Sequence, residues 1–353
     1  MKIAIVSGGT GGHIYPGIAV AEEIKRTDPA AEIFFLGSRE GLESDLVPQA
    51  GYRIELIRAR ALLRKLSYKA LSAPFVSLIG FFQALKVLRQ LRPQAVLSTG
   101  GYASLPVVLA AKILGLPIYL HEQNVLPGFT NRLCARWARE VFLSFAASRQ
   151  YLRGTVTGNP VRRAIIAADR EAARRQFGYV PGDRVVLVMG GSQGARSLNL
   201  AVVAALPKIA GPVKIIHVVG RRDAALVAQT LAGARYPFYH EVDYLYNISE
   251  TLAAADLVIS RAGATAIAEF TCRGLPMVLV PFPYSAEGHQ DLNARAVAEA
   301  GAGRVVADQE FTADKFAELA AGRGLDLAQM GAAAKRLGRP DAAAKIVERM
   351  TWT

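Results

Sequence analysis

The sequence predicts an α/β fold made of two Rossmann-like domains, each a doubly wound parallel sheet, with a cleft between them. Three observations lead there. Short apolar runs alternate with helical patterns from end to end, which implies parallel sheets with right-handed crossovers. The segment KIAIVSGGTGGH (residues 2–13) is echoed by RVVLVMGGSQGA (residues 184–195), each a buried strand ending in a glycine-rich turn before a helix. The length of 353 residues suits two domains at roughly 100–200 residues each.

In chain order, the first half offers strands at Lys2–Val6, Glu32–Leu36, Arg53–Ile57, Ala95–Leu97, Ile118–Leu120 and Val141–Leu143. A helical pattern over Gly17–Thr27 follows the first of these. The second half offers strands at Arg184–Val188, Lys214–Val219, Leu257–Ile259, Met277–Val280 and Arg304–Val306, with a helical pattern over Ala262–Arg273. The seam is expected at Gly158–Arg162, because Asn159-Pro160 disfavours a helix start just before the proline. Ligands in such sheets sit beyond the carboxyl ends of the strands.

Composition narrows the class. With 52% apolar and 20% charged residues, disorder, collagen and coiled coil are excluded. Cys134 and Cys272 lie far apart with no CxxC or histidine spacing, which argues against a disulfide framework or zinc site and fits a reducing cytoplasm. The balance of 42 Lys+Arg against 29 Asp+Glu gives +13, so anionic partners are expected: nucleic acid, an acidic membrane or phosphorylated substrates. The N-terminus has no signal-peptide pattern. The longest uncharged apolar run, Ala70–Leu85, is broken by Pro74 and Gly80 and falls short of the ~20 residues of a spanning helix. Contact with a membrane is therefore expected without crossing it.

GGTGGH (Gly8–His13) places backbone amides and a helix N-terminus where a phosphate or pyrophosphate can approach; the alternative is a tight structural turn. It has neither the dinucleotide spacing GxGxxG nor the P-loop pattern, and the second strand lacks an acid at its tip. His13 ends the loop and suits a general base, with a surface histidine as the alternative. In GGSQGA (Gly190–Ala195), Ser192 and nearby amides would bind a diphosphate or form a plain strand–helix turn. SRAGATAIAE (Ser260–Glu269) opens another helix, where Glu269 is an acceptor for ribose hydroxyls or an ordinary dipole-favouring acid. HEQN (His121–Asn124) sets polar residues beyond a strand's carboxyl end. In GHQDLNA (Gly288–Ala294), Gln290 and Asn293 share a helical face and suit a neutral polyol such as a sugar. No DxD motif or carboxylate cluster occurs, so no metal is expected to hold a nucleotide diphosphate, and Arg162 is the expected charge partner. Residues 58–92 interleave Arg58, Arg60, Arg64, Lys65, Lys69, Lys86 and Arg89 with Phe75, Leu78, Ile79, Phe81 and Phe82. That pattern fits an interfacial helix, or a buried helix with a basic rim. Aromatics clustered in one helix do not suit RNA, so no nucleic-acid partner is expected.

Together with TGGYAS (Thr99–Ser104) and TGNPVR, these motifs stand in the order and spacing of the MurG family. The chain thus resembles the UDP-N-acetylglucosamine transferases that convert lipid I to lipid II in bacterial peptidoglycan synthesis, from Met1 to about Val306. The resemblance implies the GT-B fold, with an acceptor- and membrane-binding domain over 1–160 and a UDP-sugar-binding domain over 161–337. It also implies a C-terminal helix over 338–353 that returns to the first domain. Carried over by motif, Thr10, Gly11 and Gly12 resemble the loop facing the donor and the acceptor diphosphate, with His13 the base. Asn124 and Arg162 resemble donor contacts, Ser192 the diphosphate contact, and Leu245 the residue whose backbone reads uracil. Ala264 and Thr265 match the phosphate-facing turn, Glu269 the ribose ligand, and Gln290 and Asn293 the ligands of the N-acetylglucosamine. Gly101, Tyr102, His121 and Glu122 fall on the acceptor side. The sequence departs from the family at Ala266, usually a hydroxyl residue, and at Ser98, commonly glycine.

The implied chemistry is a single inverting displacement, since an α-linked donor gives a β-linked product and no carboxylate pair for a covalent intermediate is evident. His13 would deprotonate the acceptor's C4 hydroxyl, while Arg162 and the helix N-termini after Ser192 and Gly263 would neutralise departing UDP without metal or cofactor. The implied partners are UDP-N-acetylglucosamine, lipid I, the anionic cytoplasmic leaflet of the cell membrane through residues 58–92, and proteins of the cell-wall and division machinery. Three rivals stand beside this reading: a UDP-N-acetylglucosamine 2-epimerase, a glycosyltransferase for another lipid acceptor, and a membrane scaffold. The first would need a carboxylate-rich site, and the last would not need Glu269, Gln290 and HEQN together.

Overall fold

A computed structural model describes residues 1–60, 68–191, 194–243, 245 and 248–350, the side chains of 68–74 excepted. Within them the chain forms two units: Met1–Arg162 with the segment from Arg339 onward, and Arg163–Gly338.

The first unit holds a seven-stranded sheet with the order β3-β2-β1-β4-β5-β6-β7. Its strands are β1 (Lys2–Val6), β2 (Glu32–Ser38), β3 (Arg53–Ile57), β4 (Ala95–Ser98), β5 (Ile118–Glu122), β6 (Glu140–Leu143) and β7 (Thr155–Val156). The second unit holds a six-stranded sheet with the order β10-β9-β8-β11-β12-β13. Here the strands are β8 (Arg184–Met189), β9 (Val213–Val218), β10 (Tyr239–Val242), β11 (Leu257–Ser260), β12 (Met277–Leu279) and β13 (Gly303–Val305). Neighbouring strands pair in parallel, for example Ile3 with Ile33 and with Ala95. The architecture is α/β, with two Rossmann-like parallel sheets.

Parallel strands covered on both faces must be apolar on both, and the central strands are. Ile3 and Ile5 pack with Ile14, Ile18 and Ile24 of helix Gly11–Thr27. Ala4 and Val6, one residue out of phase, pack with Ala84, Leu88, Val107 and Val108 on the other face. The first core is completed by helix Ala342–Arg349, whose Ala343, Ile346 and Val347 join the Ile14 side with Met350. The chain comes back close beside Gly158, where φ is +93° and a Cβ would lie 2.4 Å from that of Arg339.

Sheet order reverses between β1 and β4 in the first unit and between β8 and β11 in the second. These switch points are where open α/β sheets bind ligands. The glycine motifs follow β1 and β8, TGGYAS follows β4, and the SRAGATAIAE turn follows β11.

Several elements differ from the sequence reading. β7 is too short to show periodicity, and β10 is a partly exposed edge strand without an apolar run. The first helix begins at Gly11 instead of Gly17, because its opening glycines carry no helical pattern. β5 runs through Glu122, so His121 and Glu122 lie in the strand and not beyond its end. Residues 58–92 are not one helix: Arg58 and Arg60 follow β3, and the helix spans Tyr68–Leu91. Arg64, Lys65, Ser192 and the side chain of Lys69 lie outside the described residues. No described helix is long and apolar enough to cross a membrane.

Each sheet buries a histidine. His217, on β9, receives a hydrogen bond from the Tyr239 hydroxyl at Nδ1 (2.9 Å) and donates from Nε2 to Asn199 Oδ1 (3.0 Å). The Asn199 amide is turned that way because its nitrogen donates to Val219 O (2.8 Å) and Asp223 Oδ2 (3.1 Å). Burial pushes the His217 pKa down to about 3, and that of His121 on β5 down to about 4. In the unfolded chain both would titrate near 6.5. Protons therefore bind the unfolded chain first, and stability that is complete above pH ~6.5 is lost as pH falls toward those folded values. The loss is about 1.4 kcal/mol per pH unit for each histidine. Thermal melts between pH 7 and 4.5 should show Tm falling with pH, with a shallower slope in His217→Gln. Equal slopes in parent and variant would rule out protonation of His217 as a contributor.

Candidate functional site

In the first unit, the GGTGGH loop is held by backbone contacts. Gly8 N–H donates to Gly100 O (3.2 Å), and Gly9 N–H donates to Glu43 Oε2 (2.9 Å). Glu43 is itself buried and also accepts Ser38 N–H at 2.7 Å. Gly9 has φ +93°, and a Cβ there would lie 2.8 Å from the Tyr102 ring. Thr10 stands at the N-cap of helix Gly11–Thr27, and its carbonyl accepts the first helical N–H groups, from His13 (3.0 Å) and Ile14 (3.2 Å). Thr10 and Gly12 are exposed, and His13 is half-buried. The start of a helix concentrates amide dipoles that favour an anion.

Arg162 belongs to the first unit. Its guanidinium lies 4.0 Å from the centroid of the Tyr15 ring, in cation–π range. The same ring edge would lie 3.0 Å from a Cβ at Gly11. Tyr15 thus places a permanent cation beside the helix start that carries the glycine loop. No motif reading singled out Tyr15; its position one turn into the helix was the available signal.

The HEQN residues have separate tasks. Glu122 is buried and its carboxylate accepts from Asn124 N (2.9 Å), Asn124 Nδ2 (3.3 Å), Gly128 N (3.1 Å) and Asn131 Nδ2 (2.8 Å). It organises the loop after β5. His121 is fully buried, with Nε2 3.2 Å from Gly158 O and Nδ1 3.1 Å from Gln123 Nε2. Asn124 is only half-buried. His13 Nδ1 lies 3.0 Å from Thr99 O and 3.2 Å from Gln123 Oε1. The sequence reading passed over Gln123 and Thr99, although each belongs to a motif it marked. Tyr102 supports the loop: its hydroxyl meets Ser38 Oγ at 3.0 Å, and burial raises its pKa. Gly101, at φ +89°, admits no side chain because a Cβ would fall 2.1 Å from Gly8 O. Ser98 is fully buried, and its hydroxyl accepts Gly100 N–H at 3.3 Å, so it props the turn from within.

In the second unit, Gly191 and Gly194 take positive φ, and Gly194 N–H donates to Gly191 O (3.0 Å), closing the turn before helix Arg196–Ala205. Gly263 caps helix Ala264–Cys272, with open space where its Cβ would be. Ala264, Thr265 and Glu269 are buried along that helix, whereas Ala266 is half-buried. Gln290 and Asn293 hold one residue, Ala262, at its two flanking peptide groups. Gln290 Oε1 accepts Ala262 N–H (3.2 Å) and Phe282 N–H (2.9 Å), and Asn293 Nδ2 donates to Ala262 O (3.2 Å). Asn293 is fully buried and so presents no surface to a sugar in this arrangement; Gln290 is half-buried. Arg261, which sequence reasoning missed, ties three segments together. It donates to Val280 O (3.1 Å), Asp308 Oδ1 (2.6 Å) and Ser197 Oγ (2.9 Å). Leu245 is half-buried. Among the described residues, no His, Cys, Asp and Glu side chains gather in a metal-binding group.

A profile of the glycosyltransferase family 28 N-terminal domain matches residues 3–143, and one of the family 28 C-terminal domain matches residues 185–346. A relative from Moorella thermoacetica is 44% identical over 363 residues, covering 99% of this chain and 98% of its own. It is named a UDP-N-acetylglucosamine–N-acetylmuramyl-(pentapeptide) pyrophosphoryl-undecaprenol N-acetylglucosamine transferase. Among solved structures, MurG of Acinetobacter baumannii matches with TM-score 0.75 and 28% identity over 98% of each chain. The UDP-GlcNAc 2-epimerase of Neisseria meningitidis shares the fold alone, at TM-score 0.67 and 15% identity over 99% of each chain. With profiles spanning both sheets and a relative this similar along almost its whole length, the chain belongs to glycosyltransferase family 28, and within it to the MurG family.

Proposed function

We propose that this protein transfers N-acetylglucosamine from UDP-N-acetylglucosamine to the C4 hydroxyl of the N-acetylmuramoyl sugar of lipid I, forming the β-1,4 linkage of lipid II. The observation that carries this is identity along nearly the whole chain to an enzyme named for that transfer. The first unit takes the acceptor and the second the donor. The acceptor O4–H gives its proton to His13 as O4 bonds to the sugar's C1, and the C1–O bond to the diphosphate breaks with its electron pair leaving on UDP. As the motif resemblance implies, the negative charge that develops there is the task of Arg162 and of the helix starts that follow Ser192 and Gly263. By motif, Thr10, Gly11 and Gly12 face the donor and the acceptor diphosphate, Ser192 is the diphosphate contact, Asn124 and Thr265 are donor contacts, and Glu269 takes the ribose hydroxyls. Gln290 reaches the sugar through its amide nitrogen, whereas buried Asn293 acts by holding Ala262. The backbone of Leu245 reads the uracil.

The enzyme docks on the membrane peripherally, at the cytoplasmic leaflet. What supports this is a row of apolar side chains left in solvent on helix Tyr68–Leu91: Phe75 is 73% exposed, Leu78 54%, Ile79 42% and Phe82 59%. Exposed Lys86 and Arg89 continue the helix. An apolar patch bordered by cations suits an anionic lipid surface.

The transfer is tested by UDP release from UDP-N-acetylglucosamine with and without a lipid I analogue; release independent of the analogue would overturn it. Glu269→Gln should weaken UDP binding by about 1.5–3 kcal/mol, as loss of a charged hydrogen-bond acceptor does. Calorimetric titration giving unchanged affinity would remove Glu269 from the donor site. His13→Ala should lower kcat by about 10²–10⁴ with UDP affinity retained, and a loss confined to donor binding would make His13 a positioning residue. Changing Lys65, Lys69, Lys86 and Arg89 to Glu should abolish sedimentation with anionic vesicles, at about 1 kcal/mol per basic residue, yet spare activity on a water-soluble acceptor. Normal sedimentation of that variant would place the docking face elsewhere.

A further inference from the structure

We propose that Gln123 and His121 are positioning residues that, with the Thr99 carbonyl, lock the imidazole of His13 as the Nδ1–H tautomer and leave the lone pair on Nε2. The inference deepens the reading of His13 as the base, on which its catalytic consequence rests; the tautomer itself rests on geometry alone.

The protons can be assigned link by link. A carbonyl oxygen only accepts, so the arm of the Gln123 amide 2.7 Å from Thr99 O must be the NH₂ group. Turning the amide over would set two oxygens against each other at that distance. The same NH₂ lies 3.1 Å from His121 Nδ1, which must therefore accept. His121 then carries its proton on Nε2, where it donates to Gly158 O at 3.2 Å. The other arm of Gln123, the oxygen, is left facing His13 Nδ1 at 3.2 Å, and Thr99 O faces the same nitrogen at 3.0 Å. Two acceptors on one ring nitrogen admit only N–H there. Among the described residues no hydrogen-bonding partner meets His13 Nε2, which is thus the basic nitrogen.

The lock is stiff. His121 is 0% and Gln123 2% exposed, so water does not compete for either. The Thr99 hydroxyl fixes the other side of His13 by donating to its backbone carbonyl at 2.8 Å. Burial keeps His121 neutral far below physiological pH, so the direction of the chain does not invert under working conditions. Neither Gln123 nor His121 needs to touch substrate: both set which nitrogen of His13 carries the lone pair, the detail on which a histidine base depends.

Long-range ¹H–¹⁵N spectra of ¹⁵N-histidine-labelled protein, with His13 assigned by comparison with His13→Gln, read the tautomer without any assay of activity. The expected result is Nδ1–H for His13 and Nε2–H for His121, and an Nε2–H tautomer at His13 would overturn the proposal. Gln123→Met should then give a mixed His13 tautomer and lower kcat by about tenfold or more, part of the ~10²–10⁴ that a positioned base supplies, with UDP affinity and donor KM unchanged. A Gln123→Met enzyme with the parental tautomer and kcat would equally overturn it. If His13→Ala keeps its kcat while the parent still shows Nδ1–H, the base assignment fails and the lock stands. If His13→Ala is inactive and the parent shows Nε2–H, the lock fails and the base assignment stands.

Discussion

The first unit depends on a contact in which backbone lies on backbone. The turns after β1 and β4 press together where the sheet order reverses, so closely that Gly101 cannot carry a Cβ without meeting the Gly8 carbonyl at 2.1 Å. The glycines of GGTGG and TGGY thus serve packing. Glu43 works from beneath, its carboxylate bound to the Gly9 and Ser38 amides, and it fits only because Gly37 and Gly41 leave it room. This compression brings Thr99 to His13 and presents the start of helix Gly11–Thr27 as an anion-facing edge. A larger residue in either turn would separate them and release the histidine with them.

Three carboxylates near these loops are committed to amides or to an arginine. Glu122 accepts four N–H groups after β5, Glu43 holds the glycine loop, and Asp308 pairs with Arg261 at the turn after β11. A carboxylate saturated with hydrogen bonds is a poor base and a poor nucleophile. On the reading proposed above, the proton then passes to an imidazole and not to a carboxylate.

Much of the architecture was legible because buried parallel strands are written as apolar runs and glycine turns mark where they end. The two-sheet plan, the switch-point loops and the central strands could be read that way. What stayed hidden had physical causes. β10 is an edge strand with polar residues, and β7 is two residues long. The site was legible as motifs and less so as roles. Spacing put Gln290 and Asn293 on one face, but only the fold shows that the pair holds the N–H and the carbonyl of Ala262. Likewise HEQN read as four polar groups offered to a substrate, whereas three are buried and bound to neighbouring loops or to His13. Polar residues at a strand's end look alike in sequence whether they contact a ligand or hold the residue that does.

Helix Ala342–Arg349 gives the first unit a constraint in time as well as in space. Its Ala343, Ile346 and Val347, with Met350, fill one face of the core formed with Ile14, Ile18 and Ile24. During synthesis that face stays unsealed while the entire second unit, Arg163–Gly338, is being made. The second unit is an insertion in the first and has all its strands before the chain returns. On the ribosome it can therefore fold to completion first, whereas the first unit's core waits for residues 342–350 to emerge. Vectorial folding is thereby inverted: the part translated earliest is finished last.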